Sequence, residues 1–192
     1  IKRNKVVLKN LTSSAFGIYV YGLYSTISGN LETDNNQVEM EQTTGSTSTF
    51  YGIYNYGAYY SSFKSVTNNS NIVRIKSPYR AYGIIAYVLY NNQLTQKSSF
   101  SNNIVDAQIN MDLYGGIYYY GFSNKEKTDL CYNTIYSSNL GTGNVTGNKY
   151  LMYLYYADGN IMNNNIVSAD NGGTTYGIFD YYSTSSFSNN NV

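Results

Sequence analysis

The 192-residue sequence has no histidine, no tryptophan, one cysteine, one proline and few charged residues. Without histidine, Ser-His-Asp and Cys-His catalytic sites and the common zinc sites are excluded. Cys131 has no partner for an internal disulfide bond, and its place beside Leu130 indicates an inert thiol within a strand. The sequence therefore predicts no metal site and no cofactor, and we single out no catalytic residue.

The sequence also lacks a large excess of charge of either sign and a long apolar run. Twelve basic residues stand against eleven acidic ones, and no basic stripe of the kind that binds nucleic acid is present. No apolar run approaches the roughly 18 residues of a membrane helix. We therefore predict no nucleic-acid partner and no insertion into a membrane.

Tyrosine, asparagine and glycine are abundant instead. Tyrosine occurs 25 times, and together with Ile, Val, Thr and Ser it favours strands. Asparagine and glycine suit turns that need a left-handed backbone. This composition predicts an all-β fold.

Two short phrases alternate along the whole chain. A phrase of the type Tyr-Gly-Ile-Tyr-x-Tyr recurs six times, with its second residue at positions 17, 52, 83, 116, 151 and 177. An asparagine-centred phrase lies between the copies, as at 100–105, 130–135, 161–167 and 187–192. A unit of about thirty residues cannot bury its own apolar face, so successive units must stack. The repeat predicts a solenoid of about six coils.

The phrase Gly-Ile-Tyr-x-Tyr followed by Asn-Asn-Ile-Val resembles the repeat of right-handed parallel β-helix proteins, the pectate-lyase-like family that includes phage tailspikes and bacterial surface proteins. The resemblance covers about residues 4 to 192 and implies one parallel β-helix domain spanning 1–192. It also implies that asparagines at a tight turn stack into an internal ladder. The positions that match are Asn71, Asn103, Asn133, Asn165 and Asn191. Because the family contains lyases, hydrolases, adhesins and stalks, the resemblance does not select a function.

Side chains alternate across a strand, so the six-residue phrase divides into two sets. The more apolar set, which we assign to the core, is Phe16/Ile18/Val20, Tyr51/Ile53/Asn55, Tyr82/Ile84/Ala86, Ile117/Tyr119, Tyr150/Met152/Leu154 and Tyr176/Ile178/Asp180. The other set faces outward and begins with a glycine column at Gly17, Gly52, Gly83, Gly116, Leu151 (the exception) and Gly177. Two aromatic columns complete the outward set. We expect Asn55 and Asp180 to need polar partners inside the core.

The outward aromatic residues are the candidate binding site. They are Tyr19, Tyr21, Tyr54, Tyr56, Tyr87, Tyr118, Tyr120, Tyr153, Tyr155, Phe179 and Tyr181. A broad exposed aromatic patch is typical of an interaction site, and tyrosine suits sugar rings. We expect a non-catalytic adhesion or glycan-binding module at a bacterial cell surface or in the extracellular space, with a polysaccharide or cell-surface glycan as partner. Stacking between strands is a second interpretation of the same columns, and it favours a purely structural stalk.

A polysaccharide lyase or glycoside hydrolase is the enzymatic alternative, with a cleft built from the loops near 31–49 and 91–99. Glu32, Asp34, Glu39 and Glu41 form the densest acidic group, which is either a calcium site or a solvated loop. Asp106 and Asp170, with Lys97 or Arg74, form the one lyase-like group in the sequence.

The chain begins and ends within the asparagine-centred phrase. Solenoids need capping elements because an open end exposes the core and its strand edges. No cap is recognisable at either terminus of the sequence. We therefore expect further coils or domains of the same, longer protein beside this segment.

Overall fold

A computed structural model describes residues 1–21, 29–42, 47–56, 63–87, 98–121, 128–140, 147–169 and 172–192. These residues form strands that belong to three parallel sheets. Sheet 1 consists of β1 (Lys5–Lys9), β4 (Gln37–Glu41), β7 (Ile72–Ser77), β10 (Ile104–Ile109), β13 (Thr134–Ser138) and β16 (Asn165–Ala169). Sheet 2 consists of β2 (Ala15–Tyr21), β5 (Thr49–Tyr56), β8 (Arg80–Tyr87), β11 (Ile117–Tyr120), β14 (Asn148–Tyr155) and β17 (Thr174–Tyr181). Sheet 3 consists of β3 (Gly29–Glu32), β6 (Phe63–Thr67), β9 (Ser98–Ser101), β12 (Thr128–Cys131), β15 (Asn160–Met162) and β18 (Ser186–Ser188).

Each strand pairs in parallel with the strand three places further along the chain, so one strand from each sheet makes one coil. We number the coils in chain order, from coil 1 (β1–β3) to coil 6 (β16–β18). Six such coils stack on one another, which confirms the predicted all-β parallel solenoid. No helix that could span a membrane occurs in the parts of the chain described here.

Aliphatic columns fill the interior. The central position of the six-residue phrase is occupied in successive coils by Ile18, Ile53, Ile84, Ile117, Met152 and Ile178, which lie opposite one another in sheet 2. Facing them from sheet 1 is a column of Val6, Val38, Val73, Val105, Ile135 and Ile166. Most of these side chains are buried, so apolar contacts between coils supply the core that no single coil can provide.

An asparagine ladder runs along the corner between sheets 3 and 1. Its members are Asn4, Asn36, Asn71, Asn103, Asn133, Asn164 and Asn190. The Oδ1 atom of Asn103, for example, accepts hydrogen bonds from the backbone N (3.0 Å) and Nδ2 (3.1 Å) of Asn71. Its Nδ2 donates to the carbonyl oxygen of Asn68 at 2.6 Å. The ladder thus provides partners for backbone groups that are buried at each turn.

The ladder corrects two of the sequence assignments. Asn71, Asn103 and Asn133 are members as predicted, but Asn164 and Asn190 occupy the places assigned to Asn165 and Asn191. Asn165 and Asn191 are exposed and hydrogen bond to each other. The buried aliphatic residue comes two positions after the ladder asparagine, as in Asn133-Thr-Ile135. Two positions before the buried Ile166 stands Asn164, so the assignment of Asn165 was one residue too late.

The assignment of the first aromatic position to the core is wrong. Phe16, Tyr51, Tyr82 and Tyr176 are exposed or half-buried, whereas the glycine before each central isoleucine is turned inward. Gly52 and Ile53 are both buried, so the alternation breaks between them. A Cβ atom on Gly52 would overlap the carbonyl oxygen of Gly83, at 2.6 Å, and a methyl group of Val73. Glycine is required there because the backbone approaches its neighbours too closely for a side chain.

Leu151 stands at the glycine position in coil 5 and is also buried. Asn55 lies in the core as predicted, and its Nδ2 atom is 3.4 Å from the Oγ1 of Thr33. Asp180 pairs with the buried Leu154 but is itself exposed, in contrast to the expectation. Burial of its carboxyl group is nevertheless sufficient to raise the pKa of Asp180 above its ordinary value.

Candidate functional site: the aromatic face

The outward side of sheet 2 carries three columns of side chains, which we call the aromatic face. Column 1 contains Phe16, Tyr51, Tyr82, Tyr114, Tyr150 and Tyr176. Column 2 contains Tyr19, Tyr54, Ile85, Tyr118, Tyr153 and Phe179. Column 3 contains Tyr21, Tyr56, Tyr87, Tyr120, Tyr155 and Tyr181. The structure therefore brings together all eleven residues predicted as a binding site.

Column 1 was missed by the sequence reasoning, which placed Phe16, Tyr51, Tyr82, Tyr150 and Tyr176 inside and did not assign Tyr114. The recurring glycine was the available signal, since glycine weakens a strand and marks a bulge or a close approach of backbones. The alternation of side chains is inverted at that glycine, so the residue before it and the residue two places after it, such as Tyr51 and Tyr54, lie on the same face. The outward face of sheet 2 therefore carries three aromatic columns instead of two.

Many rings in the same column stack on the ring of the next coil. In column 1 the ring centroids of Phe16 and Tyr51 are 4.6 Å apart with planes at 13°, and those of Tyr51 and Tyr82 are 5.1 Å apart at 8°. Tyr118 and Tyr153 in column 2 stack at 4.7 Å and 9°. These distances are close to the spacing of neighbouring strands, roughly 4.8 Å, so the backbone repeat imposes the ring repeat.

Rings in columns 1 and 2 meet edge to face. The planes of Tyr51 and Tyr54 are at 89° with centroids 5.4 Å apart, and those of Tyr150 and Tyr153 are at 79° with centroids 5.3 Å apart. Both offset stacking and edge-to-face contacts are favourable arrangements of aromatic quadrupoles. Much of the ring faces is thus occupied by other rings.

Exposure differs along the face. In the first coil 49% of Tyr19 and 58% of Tyr21 is exposed, whereas the tyrosines of the middle coils are half-buried and Ile85 is fully buried. Burial raises the pKa of Tyr54, Tyr82 and Tyr118, with smaller contributions from neighbouring phenols. At neutral pH these three phenols are consequently uncharged.

Among the described residues, an ion pair lies beside the face. The Nε of Arg80 is 2.7 Å from Oδ2 of Asp112, and the guanidinium carbon lies 4.6 Å from the ring centroid of Tyr79 and 5.7 Å from that of Tyr114. Arg80 and Asp112 thus form an ion pair without net charge. None of the three columns contains a charged residue.

The acidic residues considered for calcium do not converge. Glu32 pairs with Lys2, Glu39 with Arg74 at 3.6 Å, and Glu41 with Lys76 at 4.0 Å. Both carboxylate oxygens of Asp34 accept hydrogen bonds from Thr67 at 3.0 Å. Across the described ranges, no three His, Cys, Asp or Glu residues are grouped so as to hold a metal ion.

The lyase-like group is only partly described. Asp106 lies opposite Arg74 in sheet 1, and its buried Oδ1 has no hydrogen-bond partner among the described residues. Asp170 and Lys97 lie outside the described residues, as do positions 43–46 and 91–97 of the proposed cleft loops. A groove of about 330 Å³ nearby has charged walls, formed by Lys9, Glu39, Glu41, Arg74 and Lys76.

The buried thiol of Cys131 contacts the carbonyl oxygen of Asn160 at 3.7 Å.

The three stacked sheets and the internal ladder place this chain in the class of parallel β-solenoid proteins. No protein-family model, curated protein or solved structure matches the chain. Solenoids of this class differ widely in function, so any function must be argued from the aromatic face itself.

Proposed function

We propose that this chain is a non-catalytic binding module that acts at the cell surface or in the extracellular space, and that its aromatic face contacts a neutral polysaccharide or glycan. The supporting observation is a surface of packed aromatic rings, half-buried or exposed, whose three columns contain no charged residue. Tyrosine offers apolar area together with a hydrogen-bonding tip. An acidic polysaccharide would require cationic side chains, and the columns contain none.

Rigidity adds to the case for binding. Most rings contact rings of the neighbouring coils, such as Tyr120 and Tyr155 at 4.4 Å, so little side-chain entropy remains to be lost when a ligand is bound. Tyrosines repeat at the coil spacing throughout column 3, from Tyr21 to Tyr181, which suits a ligand that is itself a repeating polymer. Such a polymer would gain affinity from many weak contacts.

Binding can be tested by replacing two tyrosines in the middle of column 3. We expect Tyr87→Ala/Tyr120→Ala to weaken binding to a neutral polysaccharide, identified on a glycan array, by at least tenfold, which is about 1.4 kcal/mol. Tyr132→Ala/Tyr136→Ala is the matched control, because both tyrosines are exposed but lie away from sheet 2. Circular dichroism of both variants checks that the fold is intact. Equal binding by the two variants would contradict the proposal.

A structural stalk is the second candidate, and the ring stacking itself favours it. An aromatic pair contributes about 0.5–1.5 kcal/mol beyond the area it buries, so three columns of pairs would stiffen the solenoid appreciably. If the array shows no ligand while Tyr87→Ala/Tyr120→Ala lowers the unfolding midpoint, the stalk is the better account.

A further inference from the structure

A cluster of four tyrosines, which we call the tyrosine cluster, lies at the corner where sheet 2 ends in coils 5 and 6. Its members are Tyr155, Tyr156, Tyr181 and Tyr182. Tyr156 and Tyr182 have positive φ angles of 50° and 54°. In a strand consecutive side chains point to opposite faces, but this turn brings them together. The ring centroids are 4.6 Å apart for Tyr155 and Tyr156 and 4.1 Å apart for Tyr181 and Tyr182.

Tyr156 and Tyr182 are equivalent residues of successive coils. Their rings stack with centroids 5.3 Å apart and planes at 17°. The backbone N of Tyr156 donates to the carbonyl oxygen of Tyr181 at 3.0 Å, which fixes the two turns against each other. Tyr182 is 62% exposed, the highest value among the exposed tyrosines of the described chain. An oxidant can therefore reach this pair from solvent.

Covalent linkage between coils has few other routes in this chain. Cys131 is the only cysteine, so no disulfide bond can form within the molecule. Stacked phenols offer a different chemistry, because two phenoxyl radicals held in contact couple through their ortho carbons.

We propose that Tyr156 and Tyr182 form an oxidation site at which a one-electron oxidant of the peroxidase class joins coils 5 and 6 by a dityrosine bond. Each phenol gives up one electron and one proton. The two ortho carbons form one C–C bond, and the two ortho C–H bonds break as the rings regain aromaticity. The two protons released from carbon return to the two phenol oxygens, so both hydroxyl groups are restored. Hydrogen peroxide, the terminal oxidant, accepts the two electrons and two protons and becomes two molecules of water.

The test is oxidation of the intact chain by a haem peroxidase with limiting hydrogen peroxide. We expect a monomeric product that has lost two hydrogen atoms and shows dityrosine fluorescence, with a yield per chain that is independent of protein concentration. Proteolysis on the amino side of aspartate separates residues 129–157 from residues 180–192 in the untreated chain. In the oxidised chain these two fragments should remain joined.

Phenylalanine variants assign the bond, because they keep the ring and remove the oxidisable hydroxyl group. Tyr182→Phe and Tyr156→Phe should each lower the yield of joined fragments at least tenfold, whereas Tyr132→Phe should leave it unchanged. Tyr132 is similarly exposed (58%) but lies at another corner of the solenoid. An undiminished yield in either Tyr182→Phe or Tyr156→Phe would overturn the proposal. A product that forms only between molecules would do the same.

Discussion

The asparagine ladder and the aromatic face are both columns of one residue type, but their side chains end in different surroundings. Ladder members such as Asn71 and Asn133 are fully buried, and their amides bond to other amides and to backbone carbonyls. The tyrosines of the aromatic face pack their rings against one another and are half-buried or exposed. A repeated residue thus indicates that coils stack in register, while its burial indicates whether it can also meet a ligand.

Energetic consequences differ in the same way. Removal of a ladder amide leaves several buried polar groups without partners, each at a cost of about 1–3 kcal/mol. Removal of a phenol from the aromatic face costs packing, and water can replace what the hydroxyl loses. The ladder is therefore the part of the repeat that the fold cannot dispense with, and the aromatic face is the part on which a function can be built.

The largest effect should come from alkaline pH, which acts on the aromatic face and leaves the amides of the ladder uncharged. Burial raises the pKa of Tyr54, Tyr82 and Tyr118 in the folded chain, while in the unfolded chain the phenols ionise near about 10. Above that pH the unfolded state binds fewer protons than the folded state, so stability is retained below about pH 10 and lost as pH rises further. The losses of stability from several buried tyrosines add together, so we expect the chain to unfold completely within a few pH units above that value.

Urea denaturation at pH values on either side of about 10, the usual phenol pKa, measures this loss. Phenolate absorbance recorded in parallel should rise in step with unfolding. Tyr118→Phe is the control, since it keeps a ring in column 2 but removes one shifted phenol, and it should lose less stability at alkaline pH. Ionisation of all tyrosines near pH 10 with an intact fold would contradict the prediction.

The next effect concerns the ladder and its exposed neighbour. Asn164→Ala removes the acceptor for the N and Nδ2 atoms of Asn133, at 3.0 and 2.9 Å, and the donor to the carbonyl oxygen of Leu130. We expect the free energy of unfolding to fall by about 3 kcal/mol. Asn165→Ala, one residue further on, should change it by less than about 0.5 kcal/mol because this side chain is exposed. Denaturation curves for the two variants decide between the positions, and a larger loss in Asn165→Ala would refute the ladder as described.

The fold could be predicted from the sequence because two phrases recur in one period. Ile53 and Ile84, for example, are recognisable as core residues from their place in the phrase, and the structure confirms both. The inversion at Gly52 could not be derived from alternation alone, since it depends on how closely the backbone of one coil approaches Gly83 in the next. Column 1 of the candidate site was missed for that reason.

The register of the ladder in coil 5 is ambiguous for a different reason. Three consecutive asparagines, Asn163, Asn164 and Asn165, precede Ile166, and any of them can take a turn position. The structure selects Asn164 because Asn163 adopts the left-handed conformation, with φ of 54°, and Ile166 must face the core. The run of asparagines indicates that a turn lies here. The burial of Ile166 determines which of the three asparagines joins the ladder.

The smallest effect is expected at the same corner, in the residue before the ladder asparagine. In successive coils this residue has a positive φ, 56° at Asn102, 58° at Tyr132 and 54° at Asn163. Asparagine adopts this conformation more readily than tyrosine, and Tyr132 is exposed, so its ring contributes little packing. We expect Tyr132→Asn to raise the free energy of unfolding by about 0.5–1 kcal/mol, and the reverse change, Asn102→Tyr, to lower it by a similar amount. Urea denaturation of both variants measures the difference; a gain in Asn102→Tyr would show that the left-handed turn is not what limits this corner.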